Sequence, residues 1–332
     1  MQEAWLYEKM EGGRVRCALC NRRCVIADGK RGFCGVRENR GGTLFSLVYG
    51  KACSYAVDKI EKKPFYHFMP GTDSFSIATV GCNFRCEHCQ NWEISQTGEI
   101  YGRELPPERV VELAKGADGI AYTYTEPTVF FEYAIDTAKL ARKKGFYNVF
   151  VTNGYMTSEA IDMMGPIDAS RIDLKAFNEK FYREVCGGAS LEHVLNSIRL
   201  LRGRQHIEII VLLIPTKNDS PEEIAQLSKW VADLDKNIPV HFTAYYPANR
   251  MQIPPTSVKT LEMARRIAFE QGVRYAYTGN VPGHEGENTY CHNCGELLIR
   301  RIGFNISEYK IKNGRCPNCC TEIPVIEKLE RR

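Results

Sequence analysis

Eleven of the fourteen cysteines in this 332-residue chain fall into three tight groups. Thiolates are the soft ligands that zinc and iron–sulfur clusters select, so the grouping predicts metal centres before any fold is considered. The first group is Cys17, Cys20, Cys24 and Cys34, with gaps of two, three and nine residues. The second is Cys82, Cys86 and Cys89 in GCNFRCEHCQNW, and the third is Cys291, Cys294, Cys316 and Cys319, two C-x2-C knuckles 21 residues apart. Cys53, Cys186 and Cys320 stand outside the groups and read as small buried hydrophobes.

Each group predicts different chemistry. The third has close to the spacing of a zinc ribbon, in which two knuckles each give two thiolates to a tetrahedral ion. Its intervening segment, ELLIRRIGFNISEYKIKNGR, reads as hairpin strands ending in an Asn-Gly turn. Residues 284–332 are too few to hold a core alone, and metal would staple them. Reduced buried thiols or a rubredoxin-like iron are the alternatives, and either Cys319 or its neighbour Cys320 could supply the last ligand. The first group, with Gly29, Gly32 and Gly35 to let a loop fold tightly, suits zinc or an iron–sulfur cluster, with zinc slightly favoured. The second group has three thiols. A four-iron cubane held by three cysteines leaves one iron open, which suits a cluster that binds a substrate. Completion by Cys53 or Cys186 is the competing reading.

Composition fits an ordinary globular protein. Hydrophobic residues make up 44% of the chain and aromatics 11%, enough to build a large core and exclude disorder. Lys+Arg number 44 against 40 Asp+Glu, so no global field draws the chain to nucleic acid or an anionic membrane. The N-terminal MQEAWLYEKMEGGRVR has no apolar signal-peptide core, and no run reaches the roughly 18 apolar residues of a membrane span. A cytoplasmic protein is expected, in which thiols serve metals and not disulfides.

The elements that must position these groups alternate regularly. Strands are expected at 74–80, 119–125, 148–153, 169–176, 206–215, 239–246 and 275–280, with amphipathic helices between them. This implies an α/β fold with a parallel sheet, open or rolled into a barrel, flanked by an N-terminal cysteine segment (1–60) and a C-terminal zinc-ribbon-like segment (284–332), with the array itself at 61–283. Ser220-Pro221-Glu222-Glu223 predicts a capped helix start, and Gly145 and Gly272 predict helix stops. Ligands of such sheets bind at the carboxyl ends of strands. The polar residues there are the cysteine loop, Thr125 and Glu126, Thr152 and Asn153, Asp173, Lys175, Thr216–Asp219, Tyr245-Tyr246, Asn280 and His284-Glu285.

A CxxxCxxC triad after the first strand of a six-unit β/α array is the signature that the radical S-adenosylmethionine superfamily carries. The chain resembles its pyruvate formate-lyase activating enzyme-like branch. GCNFRCEHCQNWEISQ, AYTYTEPTVFFEYA, VTNGY, IDLKAF and YTGNVPGHEGENTYCHNCG are most similar to the AmmeMemoRadiSam system radical SAM family. The resemblance implies a partial (β/α)6 TIM-like barrel with a [4Fe-4S] cluster on Cys82, Cys86 and Cys89. S-adenosylmethionine would chelate the open iron, and a single electron would release a 5′-deoxyadenosyl radical for hydrogen abstraction. It also implies an electron donor such as ferredoxin or flavodoxin, and a small-molecule or protein substrate.

By the same resemblance Glu126 steadies the methionine amino group, although Tyr124-Thr125 stand where the family has two glycines. Its plainer role is a carboxylate at a helix N-terminus. Asn153 is a candidate for the ribose or for turn geometry, and Asp173 with Lys175 for a DLK motif or a simple ion pair on one strand face. His88 and Tyr246 replace the ring and the histidine that usually meet the adenine. Tyr122 and Tyr124 are expected on one face as barrel lining, and His284-Glu285 as acid and base or as a loop pair. Two other classes compete: a nucleic-acid-modifying or -binding protein gripping phosphates near Arg22-Arg23 and Arg300-Arg301, which near-neutral charge disfavours, and an iron–sulfur electron carrier.

Overall fold

The computed structural model describes residues 1–329. The chain divides into two compact units. The first comprises Met1–Asp58, Asp73–Ser170 and Tyr182–His206, and the second comprises Lys59–Thr72, Arg171–Phe181 and the described chain from Ile207 onward.

Apolar, β-branched runs make the mostly parallel strands of each unit. In the first unit the order is Ser54–Lys59, Asp73–Ala78, Gly119–Tyr122, Tyr147–Thr152. Gly119–Tyr122 pairs in parallel with both neighbours, Ile120 facing Phe75 on one side and Asn148 on the other. Gly119 is required there, because a Cβ would lie 2.0 Å from the Tyr147 ring. In the second unit His206–Leu213, Val240–Ala244 and Ala276–Gly279 pair in parallel in that order. Ala169–Asp173 has residues in both units. His206–Leu213 is buried along almost its whole length, as its unbroken apolar reading required.

Helices follow the strands where the sequence placed them: Pro107–Leu113, Phe131–Lys143, Ser158–Asp162, Leu191–Arg202, Pro221–Leu234 and Val258–Glu270. Ser220 caps its helix by accepting from the Glu223 N–H, and Gly145 and Gly272 adopt positive φ at helix ends. Glu223 departs from the expected box. Its carboxylate leaves the helix start and accepts from the Phe177 N–H at 2.6 Å and from Asn178 Nδ2. Among the described residues no helix is long and apolar enough to cross a membrane.

Before the sheet, residues 1–52 form short antiparallel ribbons, one of Tyr7–Lys9, Val15–Cys17 and Val25–Ile26 and another of Gln2–Glu3, Thr43–Ser46 and Arg37–Arg40. Arg37 is buried and ion-paired with buried Glu132 on helix Phe131–Lys143. In the second unit the tail forms a three-stranded antiparallel ribbon, Thr289–Tyr290, Leu297–Ile302 and Asn305–Tyr309. The Asn-Gly turn falls as expected, with Asn313 and Gly314 both at positive φ. The ribbon's core is Leu298, Ile299, Ile311 and Ile323 around Cys291 and Cys316. His67 and Met69 exchange backbone hydrogen bonds with Ile326, and Arg301 donates to the Tyr66 carbonyl.

Candidate radical site

The strand Asp73–Ala78 delivers the chain directly into the cysteine loop. Gly81 turns it at φ +99°, and a Cβ there would lie 2.5 Å from Val36 Cγ1 and 3.0 Å from the Cys34 carbonyl. Only glycine allows this approach. Arg85 then braces the loop, donating to the Cys82 carbonyl at 2.7 Å, to the Phe84 carbonyl and to the Phe33 carbonyl. The loop's backbone is further held by Arg85 N–H to Cys186 O and Glu87 N–H to Val185 O.

The thiols themselves are placed among donors. The Phe84 N–H donates to Cys82 Sγ at 3.3 Å, and the Ser95 hydroxyl lies 3.2 Å from Cys89 Sγ. Such contacts stabilise charge on sulfur, which suits a cluster-bound thiolate better than a free thiol. Without a metal, burial pushes the Cys82 thiol well above its usual value, and Glu126 and Cys86 add to that. Three thiols on one braced loop with donors to sulfur therefore fit a cluster held by these side chains.

Two strand ends close over the loop. Asn153 donates from Nδ2 to Asn83 Oδ1 at 2.7 Å, and the same nitrogen lies 3.9 Å from Cys82 Sγ. Its own N–H donates to Glu126 Oε2 at 2.8 Å. Glu126 Oε1 accepts from the Thr128 N–H, the Thr128 hydroxyl and the Thr152 hydroxyl at 3.0, 2.6 and 2.7 Å. Glu126 thus caps the 3-10 turn Pro127–Phe130, and Oε2, with one protein donor, keeps capacity for another. Burial raises its carboxyl above the usual carboxylate range, against the pull of these donors. Thr152 is one of the strand-end polar residues that the sequence offered, whereas Thr128 was not expected, since a hydroxyl beside an acid carries little signal.

The glycine-to-tyrosine departure resolves in the backbone. Tyr124 adopts φ +62°, a conformation that glycine takes freely and that costs a bulky residue of the order of 1–3 kcal/mol. Its hydroxyl is anchored on Asp58 and its carbonyl accepts from Asn91 Nδ2. The strand ends at Tyr122, so the expected alternation of Tyr122 and Tyr124 on one face does not hold. Tyr122 is fully buried and donates to Asn148, whereas Tyr124 belongs to the loop. His88 is buried in the first unit.

In the second unit Lys175 Nζ donates to Asp173 Oδ2 at 2.9 Å, and Arg171 also pairs with Asp173. Alternation put all three on one strand face, and Arg171 was the member not foreseen. Tyr246 is 46% exposed, with its hydroxyl donating to the Asn280 carbonyl. His284 caps a 3-10 turn, its Nδ1 accepting from the Gly286 N–H, and its Nε2 lies 3.2 Å from Glu262.

The tail cysteines meet. Cys291 and Cys319 sulfurs are 3.5 Å apart, Cys294 and Cys316 3.7 Å, and all four ligand atoms lie within 4.8 Å of one another. Cys320 is exposed, at φ +60°, and outside this group, so Cys319 is the geometric ligand. The Thr321 hydroxyl and N–H hold the Cys319 thiol low, at about 5.

Residues 76–228, which include the triad, match the family model described as the radical SAM superfamily. An uncharacterised protein of Methanocaldococcus jannaschii is 47% identical over 335 residues, covering 98% of this chain and 100% of its own length. The chain belongs to the radical SAM superfamily. A second protein of the same archaeon, named as a glycyl-radical enzyme activating enzyme, is 29% identical over 60% of this chain and 78% of its own length. A radical SAM methyltransferase from Sphaerobacter thermophilus has the same fold, with a TM-score of 0.50 at 16% identity over 67% of this chain and 71% of that one. As a radical SAM protein the chain is an enzyme whose family implies a [4Fe-4S] cluster and S-adenosylmethionine.

Proposed function

We propose that Cys82, Cys86 and Cys89 hold this cluster with one iron left for S-adenosylmethionine, and that the hydrogen is taken from a partner protein, in the manner of a glycyl-radical activating enzyme. The observation that carries the reading is a braced loop of three thiols beneath Glu126 and Asn153 at the carboxyl ends of parallel strands. The relative named as an activating enzyme supports a protein substrate.

When bound, the cluster and S-adenosylmethionine supply one-electron cleavage of a sulfonium carbon–sulfur bond, giving a carbon radical that abstracts hydrogen. The protein's part is positioning. Glu126 offers the free capacity of Oε2 to the methionine ammonium, held rigid by its four protein donors. Asn153 fixes the loop through Asn83 and keeps Cys82 in place. His88 and Tyr246 serve the adenine, and Asp173 with Lys175 and Arg171 orients charged groups of the ligand. In the tail, Cys291, Cys294, Cys316 and Cys319 hold zinc. The electron comes from a ferredoxin- or flavodoxin-class donor, in the cytoplasm.

The test is anaerobic reconstitution of the full chain. The reduced protein is expected to show an electron paramagnetic resonance signal that shifts on adding S-adenosylmethionine, and to form 5′-deoxyadenosine, both lost in Cys86→Ala. Incubation with a candidate partner carrying deuterated glycine should move deuterium into 5′-deoxyadenosine. A reduced-state signal of which no component responds to S-adenosylmethionine would overturn the open-iron reading. Deuterium acquired only from small metabolites would overturn the protein substrate.

A further inference from the structure

The N-terminal cysteines converge as the sequence alone could not show. Cys17, Cys20, Cys24 and Cys34 line one small cavity that is partly open to solvent. Arg22, Arg37 and Asn83 also line it. Arg37 is 1% exposed, and its Nε has no hydrogen-bond partner among the described residues, while its other nitrogens donate to Glu132 and Val129. The guanidinium lines the same cavity as Cys17 and Cys34. A buried N–H donor beside four thiols is what a sulfur-rich anionic centre requires.

Spacing separates the candidate metals. Four thiolates at about 2.3 Å from one zinc ion must crowd together. The tail tetrad does so, and among the described residues it is the one group of three or more such side chains whose ligand atoms all lie within 4.8 Å. No three of the N-terminal sulfurs meet that condition, and neither does the triad. A cubane spreads its thiolates over four different irons, so a wider set is the arrangement it needs.

The cavity also adjoins the radical loop within the same unit. Asn83, which lines it, directly follows Cys82, and its carbonyl accepts from Arg22 Nε at 3.0 Å. The Cys34 carbonyl is one of the groups that a side chain at Gly81 would strike.

We propose that Cys17, Cys20, Cys24 and Cys34 hold a second iron–sulfur cluster, saturated by four thiolates, that passes single electrons to the triad centre. It takes the iron–sulfur alternative over zinc at these residues, and its electron-acceptor half rests on the triad reading given above. Saturation leaves no open iron, so outer-sphere transfer is the chemistry available. A low-potential ferredoxin- or flavodoxin-class protein is oxidised by one electron, the N-terminal centre is reduced and then reoxidised, and the triad centre gains the electron. No atom or proton is exchanged.

The full-length chain, produced without oxygen with iron and sulfide supplied, is expected to contain about eight iron atoms and about one zinc. Four irons and two zincs would overturn the proposal. The triple variant Cys82→Ala, Cys86→Ala, Cys89→Ala should keep about four irons and a reduced-state signal indifferent to S-adenosylmethionine; loss of all its iron would overturn the proposal. The pair Cys20→Ser, Cys24→Ser should keep about four irons and a signal that S-adenosylmethionine shifts. If that pair holds no iron while the triple variant holds four, the triad reading fails and the second cluster stands. Reduced flavodoxin should reduce the triad centre of the Cys20→Ser, Cys24→Ser chain at least tenfold more slowly than in the parent, with dithionite as the control; an unchanged rate would overturn the relay. If either variant fails to fold, the parent's iron and zinc counts alone decide the cluster.

Discussion

The two cysteine tetrads contain the same four thiols and make opposite use of them. The tail tetrad closes on itself: its sulfurs touch in pairs, and its ribbon buries little more than Leu298, Ile299, Ile311 and Ile323 around them. The N-terminal tetrad is set in a wall of the first unit, beside an ion pair buried at 2%/1% side-chain exposure and against the glycine that opens the radical loop. Burial raises a thiol in each tetrad, Cys17 to about 11 and Cys291 to about 12, while the Thr321 contacts draw Cys319 down to about 5. Ligand type therefore does not decide what a cysteine group is for. Spacing and surroundings differ: one tetrad is the close-packed centre of a ribbon with few apolar residues of its own, and the other is set into a larger unit.

The sharpest way to break this contrast is Cys316→Ser. Structural zinc contributes roughly 10 kcal/mol or more to small domains, so this change should drop zinc from about one per chain to near none. Residues 284–329 should then become protease-sensitive while the iron content stays unchanged. A protease-resistant tail without zinc would show that it folds by packing alone. Next is Glu132→Gln, which leaves Arg37 buried with a neutral partner. Breaking a buried pair this way costs about 3–5 kcal/mol, read by denaturant unfolding, and Glu132→Leu with Arg37→Met should recover much of it. A loss under 1 kcal/mol would mean that the wall does not depend on the pair.

The unit that carries the tail has its own acid weakness. Buried His241 bonds Glu208 at 2.7 Å and stacks on Tyr277, while Glu208 also accepts from the Tyr66 and His67 N–H groups. Burial lowers the His241 pKa from its ordinary 6.5, with Arg301 and Arg171 also disfavouring the cation against the pull of Glu208. The unfolded chain then binds the proton more readily, so stability is complete above pH 6.5 and falls as pH drops below it. The slope should approach 1.4 kcal/mol per pH unit and be absent from His241→Gln, whatever the fixed cost of that substitution. Equal slopes in the two proteins would remove this titration. The smallest effect belongs to Ser220→Ala, which deletes a cap on Pro221–Leu234 and should cost about 1 kcal/mol without altering either metal count.

How far the sequence could be read follows from where its signals reside. Period and length mark strands and helices, so every strand of the β/α array stands within a few residues of its expected place. Ends are less legible, because they depend on tertiary partners. The strand expected through Thr125 stops at Tyr122 because Tyr124 is pulled into a left-handed turn anchored on Asp58. Glu223 looked like half of a capping box, yet Phe177 and Asn178 take its carboxylate. In the site, the triad was plain from its spacing. Thr128, Arg171 and the Arg37–Glu132 pair were not, since each matters only through a partner that the fold brings near. The N-terminal ribbons were also missed, their strands being two to four residues long and too short for periodicity to register.

Gly81 sets a limit on modularity. Its missing side chain leaves room for Val36 and the Cys34 carbonyl, so the opening segment is an inner lining of the loop and not a detachable leader. Transplanting the β/α array without residues 1–52 would strip one flank from the turn that presents Cys82, and swapping in another opening segment would demand a matching contour at that single position.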